Sequence, residues 1–245
     1  MLEEALNDRL SFRRFAGLGL DGGTPDHSTL CRFRNDLATA GLAERLFAEV
    51  NRQLERQGLI LKHGTLIDAT LVQAATRPPA FDSDEEPLDG DAGFAKRDGR
   101  SGSVYGFKAH IAADQNSNLI RQALLTPANI NETVVADDLI QGDEAAVYAD
   151  VAYDTHDRRA ALCRRGIRDG IMHRANKHHP ELPAWQRRRN RAIAAIRARV
   201  ETIFAVLKLH YGYVRVRYRG LVKNQNQLHL LCMAINLRRA VVLTG

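Results

Sequence analysis

Residues 59–72, with the sequence LILKHGTLIDATLV, decide the fold class. Apolar and β-branched residues dominate this stretch, so it is predicted to form a buried strand. A single acidic residue, Asp68, lies inside it, and burying a carboxylate is costly unless the charge is paired or binds a cation. Asp68 is therefore the first candidate functional residue.

Strands and helices alternate on the C-terminal side of this strand. The patterns predict a hairpin over 104–113 and 118–126, a helix over 131–140, a strand over 145–151, a helix over 154–165 and a strand over 166–173. A second carboxylate, Asp150, lies at the end of one of these strands. This order of elements predicts an α/β fold.

The rest of the chain divides around this α/β region. Residues 1–58 are predicted to form a small helical module, in which the segment 27–35 is either a helix-turn-helix DNA reader or part of an ordinary helical domain. Residues 59–245 form the second predicted domain, with a Pro-, Gly-, Asp- and Ser-rich insertion loop at about 77–103. Its C-terminal region is basic and helical, with helices expected over 185–209 and 223–242 and an extended segment over 211–218.

Charge is distributed unevenly along the 245 residues. The net charge is +6, but residues 174–245 carry 15 Lys and Arg against only Glu181 and Glu201, a balance of +13. Residues 1–173 carry 20 basic and 27 acidic residues, a balance of −7. A basic region of this kind favours a polyanion such as nucleic acid. A solvated basic face or a membrane-facing one is the alternative.

Several classes of protein are excluded by composition. The longest apolar stretch, 228–235, is far shorter than a membrane span of about 20 residues. Met1 is followed by acidic residues rather than by a secretory leader, so a cytoplasmic location is expected. The three cysteines are isolated in sequence, which argues against both a disulfide framework and a zinc site.

A third acidic residue, Glu201, lies on the long C-terminal helix. Helical spacing places Arg197, Glu201 and Lys208 on one face, beside the apolar stripe. On a solvated surface this would be no more than an Arg–Glu ion pair of about 0.3–0.5 kcal/mol. The other interpretation takes Glu201 together with Asp68 and Asp150, as three carboxylates that converge on Mg²⁺, which prefers oxygen ligands and keeps positions open for water and phosphate. Two such ions can catalyse phosphodiester chemistry.

The motifs resemble those of bacterial insertion-sequence DDE transposases, particularly the insertion-sequence-five group. The matching stretches are LSFRRFAGLGL, PDHSTLCRFRNDL, GTLIDATLVQA, YGFKAHIAAD, VYADVAYDT, RARVETIFAVLK and YGYVRVRYRG, which together cover nearly the whole chain. The resemblance implies a ribonuclease-H-like mixed sheet flanked by helices, with a small N-terminal helical module. It also implies DNA cleavage and joining at the element's ends.

Carried over by motif, the resemblance makes Asp68, Asp150 and Glu201 the catalytic, metal-binding triad for Mg²⁺, with Mn²⁺ as a substitute. The implied DNA contacts are Arg197, Lys208, Arg215, Arg217, Arg219, Lys108 and His110. The two residues of the strand motif, Lys108 and His110, suit a structural role equally well. The partners expected are terminal inverted repeats, target DNA and further copies of the chain on DNA, without a membrane.

Two positions depart from the family pattern. Ala194 occupies the place of the signature tyrosine, and Ala152 that of the usual glycine after the second Asp. The family generally has more N-terminal helix before the first motif than this chain, so a shortened N-terminus is expected. The alternatives are therefore an inactive or truncated DNA-binding derivative that occupies element ends or interferes with full-length transposase, and a host ribonuclease-H-like nuclease.

Overall fold

A computed structural model of the protein describes residues 2–79, 86–96, 102–175 and 180–245. The chain divides into two compact units, residues 1–43 and residues 44–245. The boundary differs from the predicted one at 58 because Phe47 and Leu54 of the fourth helix are buried in hydrophobic clusters of the second unit. No helix among the described residues is long and apolar enough to cross a membrane.

The first unit is helical, as the sequence predicts. It contains α1 (Leu2–Asp8), α2 (Leu10–Phe15) and α3 (His27–Thr39). The Asp26 carboxylate caps α3 by accepting a 2.7 Å hydrogen bond from the backbone N–H of Thr29. The buried guanidinium of Arg13 donates to three carbonyls of the glycine-rich segment between α2 and α3. One side chain therefore satisfies three backbone carbonyls of this loop.

The second unit is built on one six-stranded mixed sheet. Its strands are β1 (Thr65–Gln73), β2 (Gly93–Lys96), β3 (Ser103–Asp114), β4 (Ile120–Pro127), β5 (Ala146–Ala149) and β6 (Arg168–Ile171). The order across the sheet is β2-β3-β1-β5-β6, and β4 pairs with β3. The pairs β1–β3, β2–β3 and β3–β4 are antiparallel, whereas β1–β5 and β5–β6 are parallel.

Helices cover both faces of this sheet. They are α4 (Leu42–Arg56), whose first two residues belong to the first unit, α5 (Glu132–Val135), α6 (His156–Arg164), α7 (Ala184–Ala205) and α8 (Leu221–Thr244). Buried residues of α7 and α8 pack on one face, with Leu66 and Ile111 among the strand residues. Leu162 of α6 packs on the other face, with Ile67 and Ala112. The structure thus confirms the α/β fold with a mixed sheet flanked by helices.

Three predicted segments differ in detail. The predicted 77–103 loop contains β2, which pairs with the first residues of β3; residues 80–85 and 97–101 of that loop lie outside the described part of the chain. The 211–218 segment is mostly turns and bends, with one isolated bridge between Arg215 and Gln73. The α7 helix ends in a π-helical turn at Val206–His210. Local pairing and packing decide these features, and the hydrophobic pattern does not encode them.

Candidate active site

The register of two parallel strands brings Asp68 and Asp150 together. In the β1–β5 pair, Thr65 lies opposite Val147 and Leu66 opposite Tyr148. Continuing this register by two residues places Asp68 opposite Asp150, which directly follows β5. Adjacent strands are about 4.8 Å apart, so the two carboxylates emerge side by side at the carboxyl end of the parallel pair.

The guanidinium of Arg197 lies between the two carboxylates. Its Nη2 atom is 3.1 Å from Oδ2 of Asp68 and 4.0 Å from Oδ2 of Asp150. The other oxygen of each acid accepts a backbone hydrogen bond, from Ala69 N–H to Asp68 and from Ala152 N–H to Asp150. Both carboxylates are thereby oriented by the chain itself, and one cation from α7 offsets part of their combined charge.

The environment of Asp68 disfavours its charged form. Burial raises the pKa of Asp68 to about 6, against the lowering effects of Arg197 and of the Ala69 hydrogen bond, while the charge of Asp150 raises it further. The side chain is only 21% exposed. An acid that is costly to ionise and lies beside a second acid is a typical feature of a functional site.

Glu201 does not join this pair in the structure. Its side chain is exposed, and it makes no hydrogen bond or ion pair with any described residue. Among residues 2–79, 86–96, 102–175 and 180–245, no group of three or more His, Cys, Asp or Glu side chains is placed to hold a metal ion. The predicted cluster of three acids is therefore present in part, as two carboxylates around Arg197.

Lys208 lies on the same side of β1 as Asp68. Its Nζ atom donates a 2.6 Å hydrogen bond to the hydroxyl of Thr70, and alternate residues of a strand share one face. The residue belongs to the π-helical turn that ends α7. Arg197 thus binds α7 to Asp68. Lys208 binds the following π-helical turn to Thr70, two residues further along β1.

The predicted arginine row begins beside the same strand. The backbone of Gln73 at the end of β1 accepts from Val216 N–H at 2.8 Å and donates to the carbonyl of Val214 at 3.0 Å. Val216 is buried, whereas the alternating residues Arg215, Arg217 and Arg219 are exposed. Three guanidinium groups are therefore presented to solvent next to the strand that carries Asp68.

The two candidates of the β3 motif lie on the opposite face of the sheet from Asp68. His110 is 0% exposed and shares a hydrogen bond between Nε2 and the hydroxyl of Thr126, and burial lowers its pKa to about 4. A neutral imidazole sealed from solvent is not positioned to contact DNA, so this expectation is not supported. The ammonium of Lys108 donates to the carbonyl of Ile130 and forms a 3.3 Å ion pair with Glu132, so it also has a structural role.

Of two further groups near the acidic pair, the sequence patterns missed Glu132 and included Tyr153 only as part of the VYADVAYDT motif. Glu132, the first residue of α5, lies close enough to raise the pKa of Asp68 by its charge. In the sequence it has only the signature of a helix start after the Asn131 cap. Tyr153, three residues after Asp150, is completely buried and lies within the field of the same charges. Only the tertiary structure reveals their proximity.

The donors suit a hard divalent cation. Asp68 and Asp150 supply carboxylate oxygens, and Mg²⁺ is commonly bound by one or two carboxylates together with water and substrate phosphates. The guanidinium placed between the two acids shows that the site already accommodates positive charge. The described residues therefore fit an ion held by two carboxylates, and a third ligand is not assembled in this structure.

Two family models match the chain. The model described as "Transposase DDE domain" covers residues 61–237, and the model described as "Transposase domain (DUF772)" covers residues 1–36. The first match includes both acids, Arg197, Glu201, Lys208 and the arginine row, and it extends over more than half of the chain.

Proposed function

The chain belongs to the insertion-sequence DDE transposases, which are nuclease-type enzymes acting on DNA, and from that premise we propose that it cleaves and joins phosphodiester bonds at the ends of its own element. We propose that it belongs to the insertion-sequence-five group, and the Arg-x3-Glu-x6-Lys spacing at Arg197, Glu201 and Lys208 supports this. The observation that carries the proposed chemistry is the in-register placement of Asp68 and Asp150 around one guanidinium.

DDE transposases use divalent metals, and we propose Mg²⁺, with Mn²⁺ as a substitute, in a two-metal reaction. Asp68 and Asp150 would hold the metal. Glu201 is the proposed third ligand because it lies about one helical turn from Arg197. Its exposed side chain bonds to none of the described residues, so it is free to change rotamer. When bound, such ions activate the attacking water or 3′-hydroxyl and stabilise the leaving oxygen.

In this proposal the basic side chains of the protein bind the DNA phosphates. Arg197 pairs with the two acids in the absence of DNA, and its fork of donors suits a phosphate oxygen equally well. Lys208, held near Asp68 by Thr70, adds a second positive charge on the same side of β1. Arg215, Arg217 and Arg219 would follow the DNA backbone away from the reacting bond. A homo-oligomer on DNA is part of the proposal.

One observation favours a second candidate. Because Glu201 stays exposed and no three-ligand group is assembled among the described residues, the chain could bind element ends without cutting them. Such a derivative would occupy the ends or interfere with an active transposase. The two candidates share DNA binding and differ in cleavage.

A nicking assay separates them. Purified protein is incubated with labelled duplexes that carry the inverted repeats flanking its gene, with and without Mg²⁺, alongside Asp150→Ala and Glu201→Gln. We expect each variant to lose about a hundredfold or more of the nicking rate, because a lost ligand removes several kcal/mol of charge stabilisation. Both variants should still bind DNA, because each substitution removes a negative charge that would repel the DNA phosphates.

Glu181→Gln is the matched control, since it removes the only other acidic charge of the 174–245 region and Glu181 is also exposed. It should nick at the parent rate. Nicking by Glu201→Gln at the rate of Glu181→Gln would remove Glu201 from the site. A parent that binds the repeats tightly and never nicks them would favour the non-catalytic candidate.

A further inference from the structure

Arg197 leaves part of its hydrogen-bonding capacity unused. A guanidinium has five N–H donors, and Nη2 of Arg197 donates one hydrogen bond, at 3.1 Å, to Oδ2 of Asp68. Nη1 contacts the sulfur of Met172, a weak acceptor, at 3.7 Å, and Nε is buried with no hydrogen-bond partner among the described residues. A buried donor without a partner is unfavourable, so native proteins keep few of them without a reason.

The charges at this point are also unbalanced. Asp68 and Asp150 carry two negative charges when both are ionised, and Arg197 supplies one positive charge at 3.1 and 4.0 Å from them. A divalent cation matches the two acids in charge, and a phosphate matches the guanidinium in shape, because two N–H groups of one fork bind two of its oxygens. The Asp150 side chain is 34% exposed, against 14% for Arg197, so an ion from solvent has access to that carboxylate.

We propose that Arg197 is an exchangeable counter-ion, whose release from Asp68 and Asp150 couples the binding of a divalent cation to the binding of a DNA phosphate. This inference rests on the proposed function, because it assumes that the acidic pair holds a metal and that the chain binds DNA. When the two carboxylates bind a cation, Arg197 is released to a phosphate. When Arg197 binds a phosphate, the carboxylates are released to a cation. Such coupling is reciprocal, so each ligand strengthens the binding of the other by the same factor.

Lys208 supplies a matched control. It is a second cation on the same side of β1, and its Nζ atom donates to the hydroxyl of Thr70, whereas Arg197 donates to the carboxylate of Asp68. Arg197→Gln and Lys208→Gln therefore remove equal charges from neighbouring positions of one site. A general effect of charge on metal or DNA binding should appear in both variants, and an effect of exchange in Arg197→Gln alone.

The first measurement is metal binding to the full chain without DNA. Mn²⁺ is titrated by calorimetry into the parent, Arg197→Gln, Lys208→Gln and Asp150→Ala. We expect Arg197→Gln to bind Mn²⁺ about tenfold more tightly than the parent, because the carboxylates no longer have to release a competing cation. Lys208→Gln should change the affinity much less, and Asp150→Ala should bind weakly.

The second measurement is the affinity for a labelled repeat duplex, with and without Mn²⁺. Without the metal, Arg197 stays with the acids, so Arg197→Gln should lose no more DNA affinity than Lys208→Gln. With the metal, Arg197 is released to a phosphate, and the loss in Arg197→Gln should grow by about fivefold or more. The loss in Lys208→Gln should be the same in both conditions.

The outcomes separate this inference from the function it rests on. If Arg197→Gln bound Mn²⁺ no more tightly than the parent, or lost DNA affinity equally with and without Mn²⁺, the exchange would be overturned, and weak binding by Asp150→Ala would leave the metal site standing. The same pattern in Lys208→Gln would also overturn it, because a general effect of charge would explain the result. A parent that binds no Mn²⁺ or no DNA would overturn the proposed function together with this inference.

Arg197→Lys tests the same point if the glutamine variant does not fold. Lysine keeps a cation between the acids but lacks the planar fork that binds two phosphate oxygens. We expect its DNA affinity to match that of the parent without Mn²⁺ and to fall below it with Mn²⁺. A difference from the parent that does not depend on Mn²⁺, or no difference in either condition, would overturn the exchange.

Discussion

At the residue scale, Asp68 is a buried carboxylate whose charged form is costly for the folded protein. Its pKa is about 6 in the folded protein, against an ordinary value of 3.8, and burial is the main cause. Between these two values the folded state binds the proton more readily than the unfolded state, so stability falls as the pH rises through this window. Above about pH 6 Asp68 is ionised in the folded protein, and the buried charge lowers the free energy of unfolding.

The first prediction concerns Asp68→Asn. The amide keeps the shape and removes the buried charge, so we expect the variant to be more stable than the parent at pH 8 by about 1 kcal/mol or more, even though its pairing with Arg197 is lost. The advantage should shrink as the pH falls towards 4, where the parent's Asp68 becomes protonated. Melting curves across this range are the measurement, at about 2–4 °C per kcal/mol.

Asp157→Asn is the control for that series. Asp157 is fully exposed, and this substitution removes the same charge as Asp68→Asn. Its difference from the parent should stay small and should not follow the window between pH 4 and 6. A destabilised Asp68→Asn at pH 8 would mean that the ion pair with Arg197 outweighs the burial of the carboxylate.

Sequence reasoning singled out some residues of the candidate site because their signal is local. An acid inside a buried strand, as at Asp68, or at the end of one, as at Asp150, is conspicuous in the sequence alone. Glu132 has no such signal, because it also suits an ordinary helix start, and Tyr153 belongs to the VYADVAYDT motif but also suits a core aromatic position. Their relation to the acids depends on how β5 and α5 meet in space, which no short motif encodes.

At the scale of elements, α7 holds the site together. Arg189 donates at 2.6 Å to the carbonyls of both Ile171 and Asp169 on β6, and Arg197 reaches Asp68 about two helical turns later. Asn190 satisfies both backbone groups of His173, accepting at 2.9 Å and donating at 3.0 Å. These bonds fix the helix along the sheet and so place Arg197 between the carboxylates.

The second prediction tests this anchoring with Asn190→Ala. Two backbone hydrogen bonds are lost at once, so unfolding free energy should fall by about 1–3 kcal/mol in a denaturant titration. Arg191→Ala, at an exposed position of the same helix, should change it by less than about 0.5 kcal/mol. Equal effects from the two substitutions would show that Asn190 does not anchor α7.

Periodicity predicted α7 well and its end less well. Ile193, Val200 and Ile203 follow helical spacing and are buried as expected. The π-helical turn at Val206–His210, which carries Lys208 to Thr70, depends on packing at the end of the helix. Whether Glu201 turns inwards is likewise undetermined by spacing, because a position at the edge of the stripe permits both an inward and a solvent-facing rotamer.

At the scale of the whole molecule, basic charge is concentrated in the C-terminal part of the sequence. The 174–245 region carries a balance of +13, and Arg215, Arg217 and Arg219 present part of it to solvent beside β1. Many other arginines are already paired, as Arg52 and Arg56 are with Glu49 on α4. An arginine that is already paired with a carboxylate neutralises a DNA phosphate less effectively. Arginines without an acidic partner therefore release more counterions from DNA on binding.

The last prediction follows from that difference. Binding to a labelled duplex, measured from 50 to 200 mM salt, should weaken at least about tenfold, because each neutralised phosphate contributes about 0.9 to the slope of log affinity against log salt. Replacing Arg215 and Arg217 by Gln should weaken binding to any DNA sequence and lower the slope by about 1–2. Replacing Arg52 and Arg56 by Gln removes the same charge from an acid-paired surface and should leave the slope near that of the parent. Equal slopes in the two double variants would place the DNA backbone elsewhere on the protein, whereas a parent affinity independent of salt would show that the basic region binds something other than a polyanion.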